Sequence, residues 1–287
     1  MRTLKLTIAY DGTRYAGWQV QRSTKHTALS TQQQQRPTIQ GTLERILRQV
    51  LQEPVHVIGS GRTDAGVHAE AQVAHVKTRS AMPVERLQRS INHLLPTDIA
   101  VTALEEASPR FQAQFHATGK WYRYRWYLGE VVPPFIRPYI CHVRVPLQVG
   151  RMRRELAILK GRHDFRAFAR VDNHERRPLR QQQAAGRGTG AGARSAGRTT
   201  VRQVTDVQLK RRGSELHLEI KGSGFLHTMV RSIAGTLIDV GRGRLPAGTV
   251  ARMLRTKHRA LAGTTAPAKG LTLVSVTYGY HKRERPH

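Results

Sequence analysis

Two hydrophobic periods alternate along this chain, and that alternation restricts its fold more than any other feature. Leu4, Leu6 and Ile8 fall on one face of an extended segment, which predicts a strand over residues 3–10. A turn at Asp11-Gly12-Thr13 and a polar loop over residues 22–37, with glutamine at each position from Gln32 to Gln35, interrupt the pattern. The period then changes. Ile39, Leu43, Ile46, Leu47 and Val50 keep helical spacing, and Pro54 ends that helix. Strands are expected at Val55 to Ile58 and Gln72 to Val76 around a glycine-rich turn, followed by a helix at Val84 to Leu95 and a strand at Ile99 to Leu104. The rest of the chain repeats the theme loosely. Strands are expected at Lys120 to Leu128, Val201 to Leu209, Leu216 to Lys221 and Leu271 to Val276, with helices at Met152 to Leu159, at His227 to Val240 and around Ala251. Such an order predicts an α+β protein with helices against one face of a sheet. Two halves are expected, residues 1–107 and 108–287, parting near Ser108-Pro109.

Charge bounds the partner. The 287 residues carry 48 Lys and Arg against 19 Asp and Glu, a formal net charge of +29 and an isoelectric point near 11.5. An excess of this size makes nucleic acid the leading partner, because neutralised phosphates release counterions and supply affinity without sequence preference. No run approaches the length of a membrane span, and the polar–apolar alternation of Met1 to Leu6 is unlike a signal peptide, so a soluble, cytoplasmic protein is expected. A lone cysteine, Cys141, excludes an internal disulfide and a Cys-rich zinc site. Residues 176–202 hold seven arginines, no acid and many Gly, Ala and Gln, so the stretch from 172 to 202 reads as a mobile insertion. It is either an arm for RNA or an idle surface loop.

The densest chemical signal is Gly59-Ser60-Gly61-Arg62-Thr63-Asp64-Ala65-Gly66-Val67-His68-Ala69. Glycines allow tight backbone geometry there, and an arginine two residues before Asp64 could pair with it and keep it ionised. A catalytic carboxylate or a solvated ion pair in a turn both fit. No Gly-Lys-Ser/Thr follows, so this is not an ATP-phosphate loop. His68-Ala69-Glu70 matches part of a zinc deaminase signature but lacks the downstream cysteine pair. Gly222-Ser223-Gly224 lacks the third glycine and the acidic partner of a dinucleotide site.

This run resembles the active-site motif of the tRNA pseudouridine synthase A family, and the similarity extends over nearly the whole chain. Tyr10-Asp11-Gly12 with Gly17-Trp18-Gln19 resembles the family's first strand and turn, and Ala117-Thr118 with Tyr122-Arg123-Tyr124 its tyrosine strand. Gly161, His163-Asp164-Phe165 and Phe168 match a further block. Gly224-Phe225-Leu226-His227 with Met229-Val230-Arg231 matches another, and Ala266-Pro267, Gly270-Leu271 and Leu273-Val274 match the closing strand.

The resemblance implies two related domains that share an extended antiparallel sheet flanked by helices, with the active-site cleft between them. It implies Asp64 as the catalytic aspartate and Tyr122 as the base-stacking tyrosine. Arg62 becomes the partner of Asp64 that helps displace the target nucleotide, and Arg231 a second basic partner. The turn Phe111-Gln112-Ala113-Gln114-Phe115 becomes an RNA contact, although Gln112 and Gln114 stand where the family usually has basic residues. Without the resemblance, Tyr122 reads as a strand tyrosine packed in the core. The alternation in Trp121 to Trp126 puts Tyr122, Tyr124 and Trp126 on one face, and Trp121, Arg123 and Arg125 on the other.

The implied reaction breaks the N1–C1′ bond of a uridine, rotates the freed uracil and rejoins it through C5. No water is activated, so one carboxylate suffices, either as nucleophile on the sugar or as the base that takes a sugar proton. No metal or other cofactor is expected. The resemblance further implies uridines at positions 38 to 40 of the tRNA anticodon stem-loop as substrate, and a homodimer that grips one tRNA. The alternative is a catalytically silent RNA-binding or RNA-remodelling protein of the same fold.

Overall fold

The computed structural model describes residues 1–20, 36–170 and 199–279. The loop expected at 22–37 therefore lies outside the described residues except for 36 and 37, as does the arginine-rich insertion at 172–202 except for 199–202.

In chain order the elements are β1 (Arg2–Tyr10), α1 (Ile39–Leu51), β2 (Ile58–Gly59), β3 (His68–Thr78), α2 (Val84–Leu94), β4 (Ile99–Ala107), β5 (Ala117–Tyr127) and β6 (Cys141–His142). They continue with α3 (Val149–Ala157), β7 (Gly161–Asp164), β8 (Val201–Arg212), β9 (Glu215–Gly222), α4 (Met229–Gly241), α5 (Thr249–Thr256) and β10 (Leu271–Tyr278). One ten-stranded sheet runs β4-β1-β3-β10-β5-β9-β8-β7, with β2 added to β3 and β6 to β5. Helices and sheet together make the mixed α+β architecture that the alternating periods predict.

The pairing is antiparallel except at two places, and one of them is the middle of the sheet. There β10 lies parallel to β3, with Thr272 opposite His68 and Leu273 opposite Ala69, and antiparallel to β5 on its other side. A strand from the end of the chain thus joins the strands of the first hundred residues to those of the second part. It also brings β3 and β5, which flank it, within one strand's width of each other.

Burial explains why the elements sit where they do. Leu4, Leu6 and Ile8 of β1 are fully buried, as are Ile39, Leu43 and Leu47 of α1 and Leu87 and Ile91 of α2. Burying such a side chain contributes roughly 1.5–3 kcal/mol, and truncating Leu6 to Ala would cost about 2–5 kcal/mol. Thr38 caps α1, its hydroxyl accepting from the N–H of Gly41 at 3.1 Å. In β5 the inward residues Tyr122, Tyr124 and Trp126 are buried. The outward ones are charged or amphipathic: Arg123 pairs with Glu70, Arg125 with Glu215, and Trp121 stacks with Arg123 and Lys221.

Around the glycine-rich turn, two strand boundaries differ from expectation for identifiable reasons. The strand expected at Val55 to Ile58 shrinks to Ile58–Gly59 because side chains take its backbone groups. The N–H of Val57 donates to the Glu44 carboxylate, and its carbonyl accepts from the Gln40 amide. Conversely, β3 begins at His68, four residues before the expected start. Its first turn buries His68 and Gln72, polar residues that break the hydrophobic period but find partners inside the fold.

Candidate active site

The glycine-rich run of residues 59–67 leaves β2 and returns into β3, and its start is bonded on several sides. The Ser60 N–H donates to Val73 carbonyl at 2.7 Å, and the Ser60 hydroxyl donates to the Gln72 side-chain carbonyl at 2.6 Å. The Gln72 amide donates in turn to Gly61 carbonyl at 3.0 Å. Further along, Thr63 carbonyl accepts from the Trp18 N–H, and its hydroxyl shares a 2.8 Å bond with Tyr10. Thr63 is therefore buried, and Arg62 and Asp64 on either side of it point the other way, toward solvent. Buried polar groups that are all satisfied fix one geometry. The loop holds Asp64 half-buried, on a base that does not move with it.

Asp64 meets its cation from across the sheet. Arg231, in the first turn of α4, donates from Nη1 to Asp64 Oδ2 at 2.8 Å and from Nε to Ala266 carbonyl at 2.9 Å. That second bond depends on Gly235. A Cβ there would lie 1.7 Å from the Thr264 carbonyl oxygen, so only glycine lets the 264–266 segment cross α4 closely enough to present Ala266. The N–H of Ala266 also donates to Arg231 carbonyl at 3.1 Å, which locks segment and helix together. A guanidinium held at two donors is fixed in place, and its charge-assisted bond fixes the orientation of the carboxylate in turn. His227 completes the surround, with Nε2 3.4 Å from Asp64 Oδ1.

The pairing of Asp64 with Arg62 that the spacing suggests does not form. Arg62 is exposed, and no carboxylate pairs with it among the described residues. The reason is long-range: α4 delivers Arg231 to the carboxylate first, and Arg62 is left on the same open side of the loop as a cation at the cleft mouth.

Tyr122 lines the cleft from β5. It is 7% exposed, and its ring meets Phe225 edge-on at 5.2 Å between centroids. Burial, with Tyr10 and Asp64 nearby, pushes its phenol well above the ordinary value, so the ring stays neutral. Its hydroxyl has no hydrogen-bond partner among the described residues. Tyr124, two residues on, differs in donating to Pro267 carbonyl at 2.8 Å. Tyr122 is thus a core residue and a cleft residue at once.

The structure does not bring the turn at Phe111 to Phe115 into this group. Phe111 packs on His75, His116 and Tyr278, and Ala113 is fully buried, its N–H donating to His75 Nδ1 at 3.2 Å. Only Gln114 and Phe115 of the five are exposed, Phe115 at 78%. Among the described residues no group of three or more His, Cys, Asp or Glu side chains is arranged to hold a metal ion. No helix among them is long and apolar enough to cross a membrane.

A sequence profile described as tRNA pseudouridine synthase matches residues 7–116 and 189–279, which include the Asp64 loop and Arg231, while Tyr122 lies between the two matched segments. The chain belongs to the tRNA pseudouridine synthase family. The tRNA pseudouridine synthase A of Pelobacter propionicus is 41% identical over 278 residues, which cover 97% of this chain and 100% of that protein. Those of Geobacter sulfurreducens and Moorella thermoacetica are 41% and 39% identical over the same shares of each chain. Members of this family are isomerases, and in the synthase described here the loop-borne Asp64 carboxylate meets Arg231 and His227.

Inspection of the sequence missed His227 and Phe225 as neighbours of the site, although both stand in the block that carries Arg231. Nothing in their local spacing points to Asp64, 163 and 161 positions away.

Proposed function

We propose that this synthase converts uridine to pseudouridine in the anticodon stem-loop of tRNA, at positions 38 to 40, with Asp64 as its reactive carboxylate. The observation that carries the reading is the Asp64–Arg231 pair, closed across the sheet beside the Tyr122 ring. The reaction is an isomerisation. The bond between N1 and C1′ breaks, the uracil turns, a bond forms between C5 and C1′, and the proton on C5 is lost as N1 gains one. Asp64 as carboxylate either attacks C1′ and is later displaced, or takes a sugar proton and returns it; Arg231 keeps the carboxylate aimed in both routes. The target base must first leave its stack. Tyr122 and Phe225 offer that base an apolar wall, and Arg62 at the mouth offers positive charge to the strand it leaves. The exposed Gln114 and Phe115 make an RNA contact away from the chemistry. In this reading the protein is cytoplasmic and works as a homodimer, with one tRNA gripped by both chains. Mapping pseudouridine at nucleotide resolution in unmodified tRNA, before and after incubation with the purified protein, tests the assignment. New pseudouridine at positions 38 to 40 supports it, and modification confined to another arm of the tRNA overturns it.

A further inference from the structure

One charged side chain beside the Asp64 loop has no part in the chemistry above. Lys120 lies two residues before Tyr122 on β5, between Gly222 of β9 and Val276 of β10. Its Nζ donates to Ser60 carbonyl at 3.0 Å. The approach is close enough that a Cβ on Gly61 would lie 2.2 Å from that nitrogen, so any other residue at position 61 would make the ammonium shift. An ammonium has three N–H donors, and the carbonyl uses one. No carboxylate pairs with Lys120 among the described residues. The charge that acts on it is another cation, Arg202 of β8. Burial first, and then Arg202, pull its pKa down to about 8. A largely buried charge beside a like charge is unfavourable until an anion joins it.

We propose that Lys120 forms a phosphate-binding position at the base of the Asp64 loop, which takes a backbone phosphodiester of the substrate RNA. The inference rests on the reading of the Asp64 cleft as the place where uridine reacts. A nucleotide turned out toward Asp64 carries its flanking phosphates into the cleft with it. There the two unused donors of Lys120 give charge-assisted bonds, and the negative charge relieves the repulsion from Arg202.

The neighbours of Lys120 leave its own titration legible. Arg202 is the charged group that acts on it. Tyr278, at the end of β10 and against Ser60, is pushed up by burial and stays neutral. Lys221 of β9 lies over Trp121 on the opposite face of the sheet. The other basic side chains of the loop and of the first turn of α4 are Arg62 and Arg231. A phosphate stabilises the protonated amine, so RNA affinity is fullest below about pH 8 and declines as pH rises through that value, where binding must take up a proton.

The test is a tRNA binding titration at several salt concentrations and from about pH 7 to about pH 9, on wild type, Lys120→Met, Lys120→Arg and Asp64→Asn. Lys120→Met is expected to weaken binding about tenfold at neutral pH, to flatten the log–log salt slope by about 0.7–0.9, and to abolish the alkaline decline. Lys120→Arg is expected to restore affinity and slope while binding stays level with pH. A Lys120→Met protein with the wild-type salt slope and alkaline decline overturns the proposal, and leaves Lys120 as a strut under the loop. The Asp64→Asn protein keeps the two questions apart. If it still forms pseudouridine, the catalytic reading fails; if it is inactive and Lys120→Met binds as wild type does, only the phosphate position fails.

Discussion

The Asp64 loop and the turn at Phe111 to Phe115 are built on opposite plans. In the first, Ser60, Gly61 and Thr63 spend their polar groups on Val73, Gln72, Trp18 and Tyr10, and the Asp64 carboxylate is met by an arginine from a distant helix. In the second, Phe111 and Ala113 anchor the turn from beneath while Gln114 and Phe115 project into solvent. The difference separates two tasks. A reacting carboxylate has to be held within a fraction of an ångström by groups that cannot relax. A contact that only adds affinity gains from exposure and tolerates motion. In the proposed reading, chemistry belongs to the first region, and the second only adds affinity for RNA.

Substitutions can break that division, and the largest effect is expected at Asp64. Asp64→Asn keeps shape and hydrogen bonding but removes the charge, so turnover should fall at least about a hundredfold while tRNA affinity stays within about threefold. Tritium release from tRNA labelled at uridine C5 measures the first quantity and a filter-binding titration the second. Arg231→Met comes next. It removes both the partner of Asp64 and the tie to Ala266, which predicts a loss of turnover on the order of tenfold or more. An accompanying loss of stability of about 1–3 kcal/mol should appear in urea unfolding. Lysine at this position cannot make both bonds and should rescue only in part.

Tyr122 sharpens the comparison, because it belongs to the core and to the cleft. If its ring supports the extruded base, Tyr122→Leu should lose about tenfold or more in turnover, since base–aromatic stacking is worth roughly 1–3 kcal/mol. Tyr122→Phe should bind tRNA and melt as wild type does, because the hydroxyl has no partner to lose. Thermal melts run beside the rate assays decide the matter: a Leu variant whose activity falls only as far as its stability does returns Tyr122 to the core alone.

The smallest effect is expected at Phe115. Truncating a 78% exposed ring should leave stability within about 0.5 kcal/mol. Affinity for tRNA should fall by about fivefold, the roughly 1 kcal/mol at the low end of the range for one stacked aromatic.

Much of the fold was legible because its signals are local. The period-two run Leu4, Leu6, Ile8 and the helical spacing from Ile39 to Val50 each follow from one face buried against the other, and both elements lie where those residues place them. The failures came where side chains compete with the backbone ladder. Glu44 and Gln40 shorten the strand before the Asp64 loop, and buried His68 and Gln72 hide the start of the strand after it. The site divides in the same way. The motif around Asp64 is contiguous and could be read. Its cation could not be read from spacing, because Arg62 is near in sequence while Arg231 is near only after β10 has drawn the two parts of the chain together.

The measurement that tests the division most directly is a single-turnover assay with protein in excess over tRNA, run side by side on wild type, Asp64→Asn and Phe115→Ala. The account predicts that Phe115→Ala reaches the wild-type rate at saturating protein, with only its half-saturation point moved upward. Asp64→Asn should saturate where wild type does and form no measurable pseudouridine. A Phe115→Ala protein whose saturated rate falls about tenfold, or an Asp64→Asn protein that retains more than about a hundredth of the wild-type rate, would contradict it.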